Sequence, residues 1–547
     1  MPSWLRTSPI KLGLISVWLF VCATVRFLSI PDEGRYADIS RHMFESGDWL
    51  VPRLDGLPFI HKPPMLHWLS SIAMHIFGVH VWVVRLVPVL AASLLLIGTY
   101  LFVRKYLSQK IAELSILMMA TNLLFFGSSQ YVNHDLLLAT GITLSVFCLV
   151  DFSLCNRKAM LFLGYFFAAS AFLTKGLIGI LIPGMILLPW LLYTRQYKRI
   201  PAFFNPFALL FLAALTLPWL YQMQQIYPDF LHYFFIDQQF NRFHSNQFNN
   251  KQSWFFYLVI LLVSLLPWLL TLRWTGLRTI LQQQRLNPIG QLLIWWLVSV
   301  VIFFSIPPSK LAGYILPALT PLIILCAVAF EKSTLNTQQL TRMQKYAPAA
   351  FVCLLGFVLA ATLYFIPLDF NLSSVQKWQI TLMAALLVYS PLLFLQLLHR
   401  HKLEYAHYVA ACLIVLCSVV PFATRIFDIK NNHDQINFTA YIHPNTKVVF
   451  YDRYYYDLPF LLDLKQPVYV VTDWQSNVSD NYAQELSDGL QFEPERRAYL
   501  WTRAQLNGAI DRKAPMIVIS SSHDYSLEQQ AKQVIHNRNF DVLIFNE

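Results

Sequence analysis

Pro31-Asp32-Glu33-Gly34-Arg35-Tyr36, followed by Arg41 and closed by His61-Lys62-Pro63-Pro64, forms a dense polar block between the apolar runs 10–28 and 79–103. A bilayer core takes ~20 apolar residues to cross, and both runs are near that length. The chain therefore reads as helices threaded through lipid, with ionisable groups gathered at one membrane edge. Such groups are costly beside hydrocarbon unless they face protein, water or a charged headgroup, which makes the block a candidate functional site. A plain linker seldom concentrates so many titratable groups.

Composition agrees: 56% of the 547 residues are hydrophobic, 13% are charged, and there are 42 Phe, 26 Tyr and 15 Trp. This is the profile of a polytopic α-helical membrane protein. About 13 transmembrane helices are expected, near 10–28, 79–103, 111–128, 132–153, 159–175, 176–193, 204–222, 254–272, 289–305, 312–330, 346–367, 377–398 and 406–427. No small-residue cleavage site follows the first run, so it is expected to be a retained span.

Orientation is expected from the Lys and Arg residues of the short connections, which favour the cytoplasmic side. Alternate connections carry Arg104-Lys105-Lys110, Arg157-Lys158, Arg195-Lys198-Arg199, Arg273-Arg278-Arg285, Lys332-Arg342-Lys345 and Arg400-Lys402. The N-terminus is then cytoplasmic, and residues 29–78, 223–253, 306–311 and everything after 428 face the periplasm. Inner loops gripping anionic headgroups explain most of the formal charge of +11, so it does not point to nucleic acid. Against that trend, Arg35, Arg41, Arg53, Lys62, Arg242, Lys251 and Lys310 come from three separate outer loops. Arg and Lys are the phosphate-binding side chains, and convergence on one anionic ligand would account for them.

The expected organisation is a membrane domain over 1–428 and a periplasmic α/β domain over 429–547. In the tail, Lys447–Tyr451, Pro467–Val471, Pro515–Ile519 and Asp541–Phe545 read as strands buried on both faces, with helical segments near 482–490, 503–511 and 526–536. No Gly-rich phosphate fingerprint follows a strand, which argues against a nucleotide site, and the tail reads as a scaffold, acceptor-docking or partner-contact domain. All seven cysteines fall in or beside spans, so neither a disulfide framework nor a zinc motif is indicated.

Two stretches of the first outer loop have helical apolar period: Tyr36, Ile39, Met43 and Phe44 within 36–46, and Leu66, Leu69, Ile72, Ala73 and Ile76 within 65–77. They are too short to span and should lie in the membrane interface, holding the polar block at headgroup level. Polar residues at other outer ends would line the same cavity: Asn133-His134-Asp135, Thr174-Lys175-Gly176, the stretch Phe234 to His244, and Ser305 to Pro317. Read alone, His134 is a hydrogen-bonded structural histidine and Lys175 a side chain snorkelling from its helix end.

Taken together, Asp32-Glu33-Gly34-Arg35-Tyr36-Ala37-Asp38-Ile39, Ser46-Gly47-Asp48-Trp49-Leu50-Val51-Pro52-Arg53-Leu54-Asp55-Gly56 and Lys62-Pro63-Pro64 resemble the first outer loop of the bacterial 4-amino-4-deoxy-L-arabinose lipid A transferases. Those belong to the protein O-mannosyltransferase-like group of polyprenyl-phosphate-sugar transferases. The resemblance extends through Asp135, Phe240-Asn241-Arg242-Phe243 and Lys310-Leu311 to Tyr314-Ile315-Leu316-Pro317. It implies a GT-C glycosyltransferase, inverting at the anomeric carbon, with a sugar on undecaprenyl phosphate as donor and lipid A or another envelope glycan or protein as acceptor. On the matching positions, Asp32 is the catalytic carboxylate and Asp135 a second acidic residue across the cavity. Arg35, Lys62, Arg242 and Tyr314 hold the donor phosphate, with Lys310 and Tyr36 added to that set. Two departures are visible. Where those transferases carry a Glu and a His able to hold a divalent metal, this chain has His61 and Gln239, so no cofactor is expected, although His244 or Asp237 could supply ligands beside His61. Phe59 stands where a Tyr is expected. The alternatives are a protein O-glycosyltransferase of the same fold and, from another class, a multipass lipid or solute transporter. A transporter would place ionisable groups near mid-span and often show an internal repeat.

Overall fold

The computed structural model describes residues 8–241, 251–272, 287–334, 340–365, 372–427, 438–472, 474, 481–521, 525–537 and 539–545. They form two compact units. The first comprises residues up to 25, 87–221 and 231–426, and the second 26–86, 222–230 and 427 onward.

Helices make up the first unit, and every expected span coincides with helical chain. Among the described residues, however, eight helices are long and apolar enough to cross a membrane, or nine if the bent pair Gln109–Ala120 and Leu123–Ser129 counts as one span. The count of 13 is therefore not reached. The shortfall lies in short apolar helices such as Ile178–Tyr193 and in runs that break, as Phe256–Ser264 does before Trp268–Thr271. Backbone groups freed by a break in lipid must be satisfied by protein. Asn122, at the 65° bend of the pair, accepts from the amides of Leu124 and Phe125 and donates to the Ser264 carbonyl at 2.8 Å, at the other break. One side chain thus satisfies both interruptions. Trp268 Nε1 donates to Thr121 Oγ1 at 3.0 Å and ties the same two places.

Small residues set the helix spacing, as expected where lipid is as apolar as Leu and close packing drives association. Helices His134–Cys155 and Lys158–Lys175 meet at Gly141, where an added Cβ would lie 3.0 Å from Ala171 Cβ, and at Gly164, where it would lie 2.6 Å from Leu149.

The second unit joins the first polar loop to the tail. Helix Asp32–Ser46 packs on helix Met65–Phe77 and on the short helix Leu458–Leu461 of the tail. A tight ribbon of β1 (Arg53–Leu54) and β2 (Leu57–Pro58) turns at Asp55-Gly56, both with positive φ, as a two-residue hairpin demands. The tail is a six-stranded sheet built from β3 (Lys447–Tyr451), β4 (Tyr469–Val471), β5 (Leu500–Trp501), β6 (Met516–Ser520), β7 (Gln533–His536) and β8 (Asp541–Phe545). Its order is β5-β4-β3-β6-β8-β7, with β5 to β6 parallel and β8 and β7 antiparallel. Strands β6 and β8 are buried at every position, as their continuous apolar runs require.

Two expectations are corrected here. Residues 526–536 hold only the short helix Tyr525–Glu528, after which the chain becomes edge strand β7. Pairing with β8 outweighs the helical pattern of this polar segment. Helix Asp32–Ser46 is not an interfacial helix with a solvated polar face. Tyr36, Ile39 and Met43 are buried in protein, and so are Glu33, Arg35, Asp38 and Arg41 opposite. Gly34 allows this approach: a Cβ there would lie 2.8 Å from Asp457 N and from Tyr456 C, both backbone atoms of the tail. Helix Met65–Phe77 does fit an interface, with Ile72, Ile76 and Phe77 exposed.

Candidate active site

In the second unit, the polar block sorts its own charges. Glu33 is fully buried and receives Arg85 Nε at 3.1 Å, Arg85 Nη2 at 3.0 Å, Arg26 Nη1 at 3.0 Å and the Ser29 amide at 2.9 Å. Burial opposes its ionisation, but Arg85 and Arg26 outweigh that and hold the carboxyl down to about 2. Arg85 also donates to the carbonyls of Arg26 and Phe27, each at 2.6 Å, so this ion cluster braces the start of the loop. Asp32, the adjacent carboxylate at the helix start, keeps a third of its side chain exposed and pairs with Arg35 one turn on.

Arg35 is buried and lies near three rings, 4.9 Å from the Tyr36 centroid, 5.5 Å from Phe59 and 5.7 Å from Tyr456. Phe59 therefore faces the guanidinium with its ring. Lys62 Nζ donates to Tyr36 Oη at 2.5 Å, so helix and closing motif meet through that phenol. Asp32, Arg35, Tyr36 and Lys62 are thus brought into one linked group. The tail adds to it: Arg35 pairs with Glu485, whose other oxygen accepts from Tyr456 Oη at 2.9 Å, and Asp488 lies 3.5 Å from His61 Nε2. Burial, with Glu485 adding to it, pushes the Asp488 carboxyl up to about 6. Sequence reasoning missed Glu485, Asp488 and Tyr456, because carboxylates on a helix of the tail carry no local signal of where they point.

Two other basic residues of the loop are committed elsewhere. Arg41 bonds Asp38 at 2.7 Å and Glu45 at 3.1 Å, and Arg53 bonds Glu493 at 2.9 Å. Of the seven basic residues from which several were expected to converge on one anion, these two are taken up by carboxylates instead.

In the first unit, Asp135 opens helix His134–Cys155, and its amide is capped by Asn133 Oδ1 at 2.9 Å. Lys175 donates to Asp135 Oδ1 at 2.6 Å and sits 3.8 Å from the Tyr314 ring centroid. The snorkelling reading of Lys175 is replaced by an ion pair. Gly313 lies against the same carboxylate, where any side chain would collide with it. Lys310 is buried and donates to the Gln252 carbonyl at 3.2 Å. Arg242 and His244 lie outside the described residues.

The residues standing at the metal positions do not fit that role. Gln239 Oε1 accepts from the Leu177 amide at 2.8 Å and braces the turn at Gly176, where φ is +77°. His61 stacks on Phe59 at 4.5 Å and has Asp488 beside it. Among the described residues no three His, Cys, Asp or Glu side chains converge as a metal would require.

Comparison with known proteins adds three findings. The profile of the family described as dolichyl-phosphate-mannose-protein mannosyltransferase matches residues 61–222. An undecaprenyl phosphate-alpha-4-amino-4-deoxy-L-arabinose arabinosyl transferase of Sodalis glossinidius (strain morsitans) is 34% identical over 334 residues, 59% of each chain. The crystal structure of ArnT from Cupriavidus metallidurans bound to undecaprenyl phosphate matches 98% of both chains with a TM-score of 0.81 at 23% identity, and so shares the fold. The chain thus resembles the arabinosyl transferases over part of its length and shares the fold of one of them over nearly all of it. The shared fold is a helical membrane unit with a small α/β sheet in the tail. A second undecaprenyl phosphate-alpha-4-amino-4-deoxy-L-arabinose arabinosyl transferase, from Edwardsiella ictaluri (strain 93-146), is 34% identical over 324 residues, 56% of each chain. The matched region spans less than two thirds of the length of these curated relatives.

Proposed function

We propose that this chain is an inverting glycosyltransferase of the inner membrane, moving 4-amino-4-deoxy-L-arabinose from undecaprenyl phosphate to a phosphate of lipid A on the periplasmic side. The observation that carries the reading is the linked group of Asp32, Arg35, Tyr36 and Lys62: two cations suited to a phosphate beside one accessible carboxylate. The names of the curated relatives supply the sugar and its carrier.

The chemistry follows from those groups. As the bond between sugar and polyprenyl phosphate breaks, negative charge grows on the departing phosphate, and Arg35 and Lys62 stabilise it where water is scarce. Phosphate is a good leaving group, so no strong acid is needed. The carboxylate of Asp32 stabilises positive character at the anomeric carbon and orients the acceptor. A lipid A phosphate is already ionised and needs no base. A hydroxyl acceptor would require Asp32 to take its proton. Asp135 is proposed as a second acidic residue of the transferase, and Arg242, Lys310 and Tyr314 as further donor-phosphate residues.

Reconstituted chain, undecaprenyl-phosphate-linked aminoarabinose and lipid A test the reading by mass spectrometry. One pentosamine should be added to lipid A, and Asp32→Asn should abolish transfer while retaining donor binding. Loss of donor binding in that variant would refute the role given to Asp32. The match to the mannosyltransferase family favours a second reading with a protein hydroxyl as acceptor. A sugar increment on envelope protein instead of lipid A would select it.

A further inference from the structure

The tail places a carboxylate on one of the two cations assigned to the donor phosphate. Arg35 is buried, donates through one terminal nitrogen to Asp32 and through the other to Glu485, and its Nε has no hydrogen-bond partner. Glu485 is held from behind by the Tyr456 phenol at 2.9 Å and rides on helix Asn481–Leu490. That helix is pressed onto the loop: an added Cβ at Gly489 would lie 2.9 Å from both Leu57 Cβ and Pro58 O.

Charge counting gives the consequence. Arg35 and Lys62 stand in a group that also holds Asp32, Glu485 and Asp488, so carboxylates already match or outnumber the two cations without a ligand and there is no surplus attraction for an anion. Asp32 is required beside the sugar, and Glu485 is not. A phosphate approaching Arg35 meets an anion already bonded to it, and a guanidinium terminal nitrogen serves one charged acceptor best at a time. We propose that Glu485 is a positioning residue that holds Arg35 in the donor-free protein and gives it up to the donor phosphate, so that the tail domain competes with the donor for this cation. The inference rests on the assignment of Arg35 and Lys62 to the phosphate.

Binding of undecaprenyl phosphate to the full-length chain in nanodiscs tests it, with Lys62→Ala as the control for the parent assignment. Glu485→Gln should bind about tenfold more tightly than the parent chain, the scale of one charge-assisted hydrogen bond no longer contested. Its KM for the lipid-linked donor should fall likewise, while Glu485→Asp restores the parent values. A carboxylate with only a structural role would weaken binding on removal or leave it unchanged, and either result overturns the proposal. If Glu485→Gln does not fold, Tyr456→Phe frees the Glu485 carboxylate from behind without removing its charge. Binding tightened a few-fold in that variant supports the competition, and unchanged binding overturns it. Unchanged affinity in Lys62→Ala removes the phosphate assignment itself. A weakened Lys62→Ala beside an unaltered Glu485→Gln removes only the competition.

Discussion

Replacing Gly34 by alanine sets two effects of opposite sign against each other. Position 34 lies inside helix Asp32–Ser46, where alanine is favoured over glycine by ~1 kcal/mol through lower backbone entropy. The added methyl would meet Asp457 N and Tyr456 C at 2.8 Å and Asp457 Cα at 2.9 Å, closer than Cβ atoms tolerate. All three are backbone atoms, so no side chain can turn aside, and helix or tail segment must move by about half an ångström. Overpacking of this kind costs ~1–3 kcal/mol. The clash wins, and a net loss of about 1 kcal/mol is expected, lowering Tm by roughly 2–4 °C. Gly508→Ala is the control: this glycine is also inside a helix of the second unit, but the nearest atom is the flexible Arg512 guanidinium at 3.7 Å. That change should raise Tm. Thermal melts of both variants in detergent decide the matter. A Gly34→Ala chain as stable as Gly508→Ala would refute the claim that tail backbone closes over this helix.

Glu33→Gln should lose ~3–5 kcal/mol at pH 7, because Arg85 and Arg26 are left as buried charges with no carboxylate. With the folded carboxyl held at about 2 against an ordinary 4.5, the stabilisation is present above pH 4.5 and fades as pH falls through that interval, so melts of parent and variant should converge near pH 2–3. Asp55 carries the opposite sign. Burial, opposed by the Val468 amide and reinforced by Asp38, pushes its carboxyl up to about 8 from an ordinary 3.8. The folded chain holds the extra proton between those values and loses stability as pH rises across them, by at most ~6 kcal/mol. Asp55→Asn should therefore gain on the parent in Tm from pH 5 to pH 8; a constant difference would count against a protonated Asp55. Lys175→Met should destabilise by stranding the Asp135 carboxylate, and adding Asp135→Asn should recover much of the loss in a double-mutant cycle. Additive losses would mean that the two side chains do not act as a pair.

Much of this architecture was legible because its signals are local. Apolar length placed helical chain at all thirteen expected positions, and continuous apolar runs marked β3, β4, β6 and β8. The number of full-length spans was not legible, because the breaks at Asn122 and Pro267 depend on partners over a hundred residues away. Asp32, Arg35, Tyr36 and Lys62 could be nominated because they lie in one loop with an unusual density of charge. Pairings between distant segments were hidden: nothing near Glu485 indicates Arg35, and nothing near Lys175 indicates Asp135. The tail, expected as a docking or scaffold domain, also supplies a counter-ion to a proposed donor-binding cation.

One feature of the second unit bears on how the protein is made. Residues 26–86 emerge from the ribosome early, whereas the strands and the helix that bury their polar face are encoded in the last fifth of the chain. Until the tail is made, Arg35, Arg41 and Asp55 have no Glu485, Asp463 or Val468 amide to meet. A nascent chain stalled before the tail thus holds these charges unmatched, and a premature stop codon far downstream of the polar loop would disturb it as surely as a lesion within it.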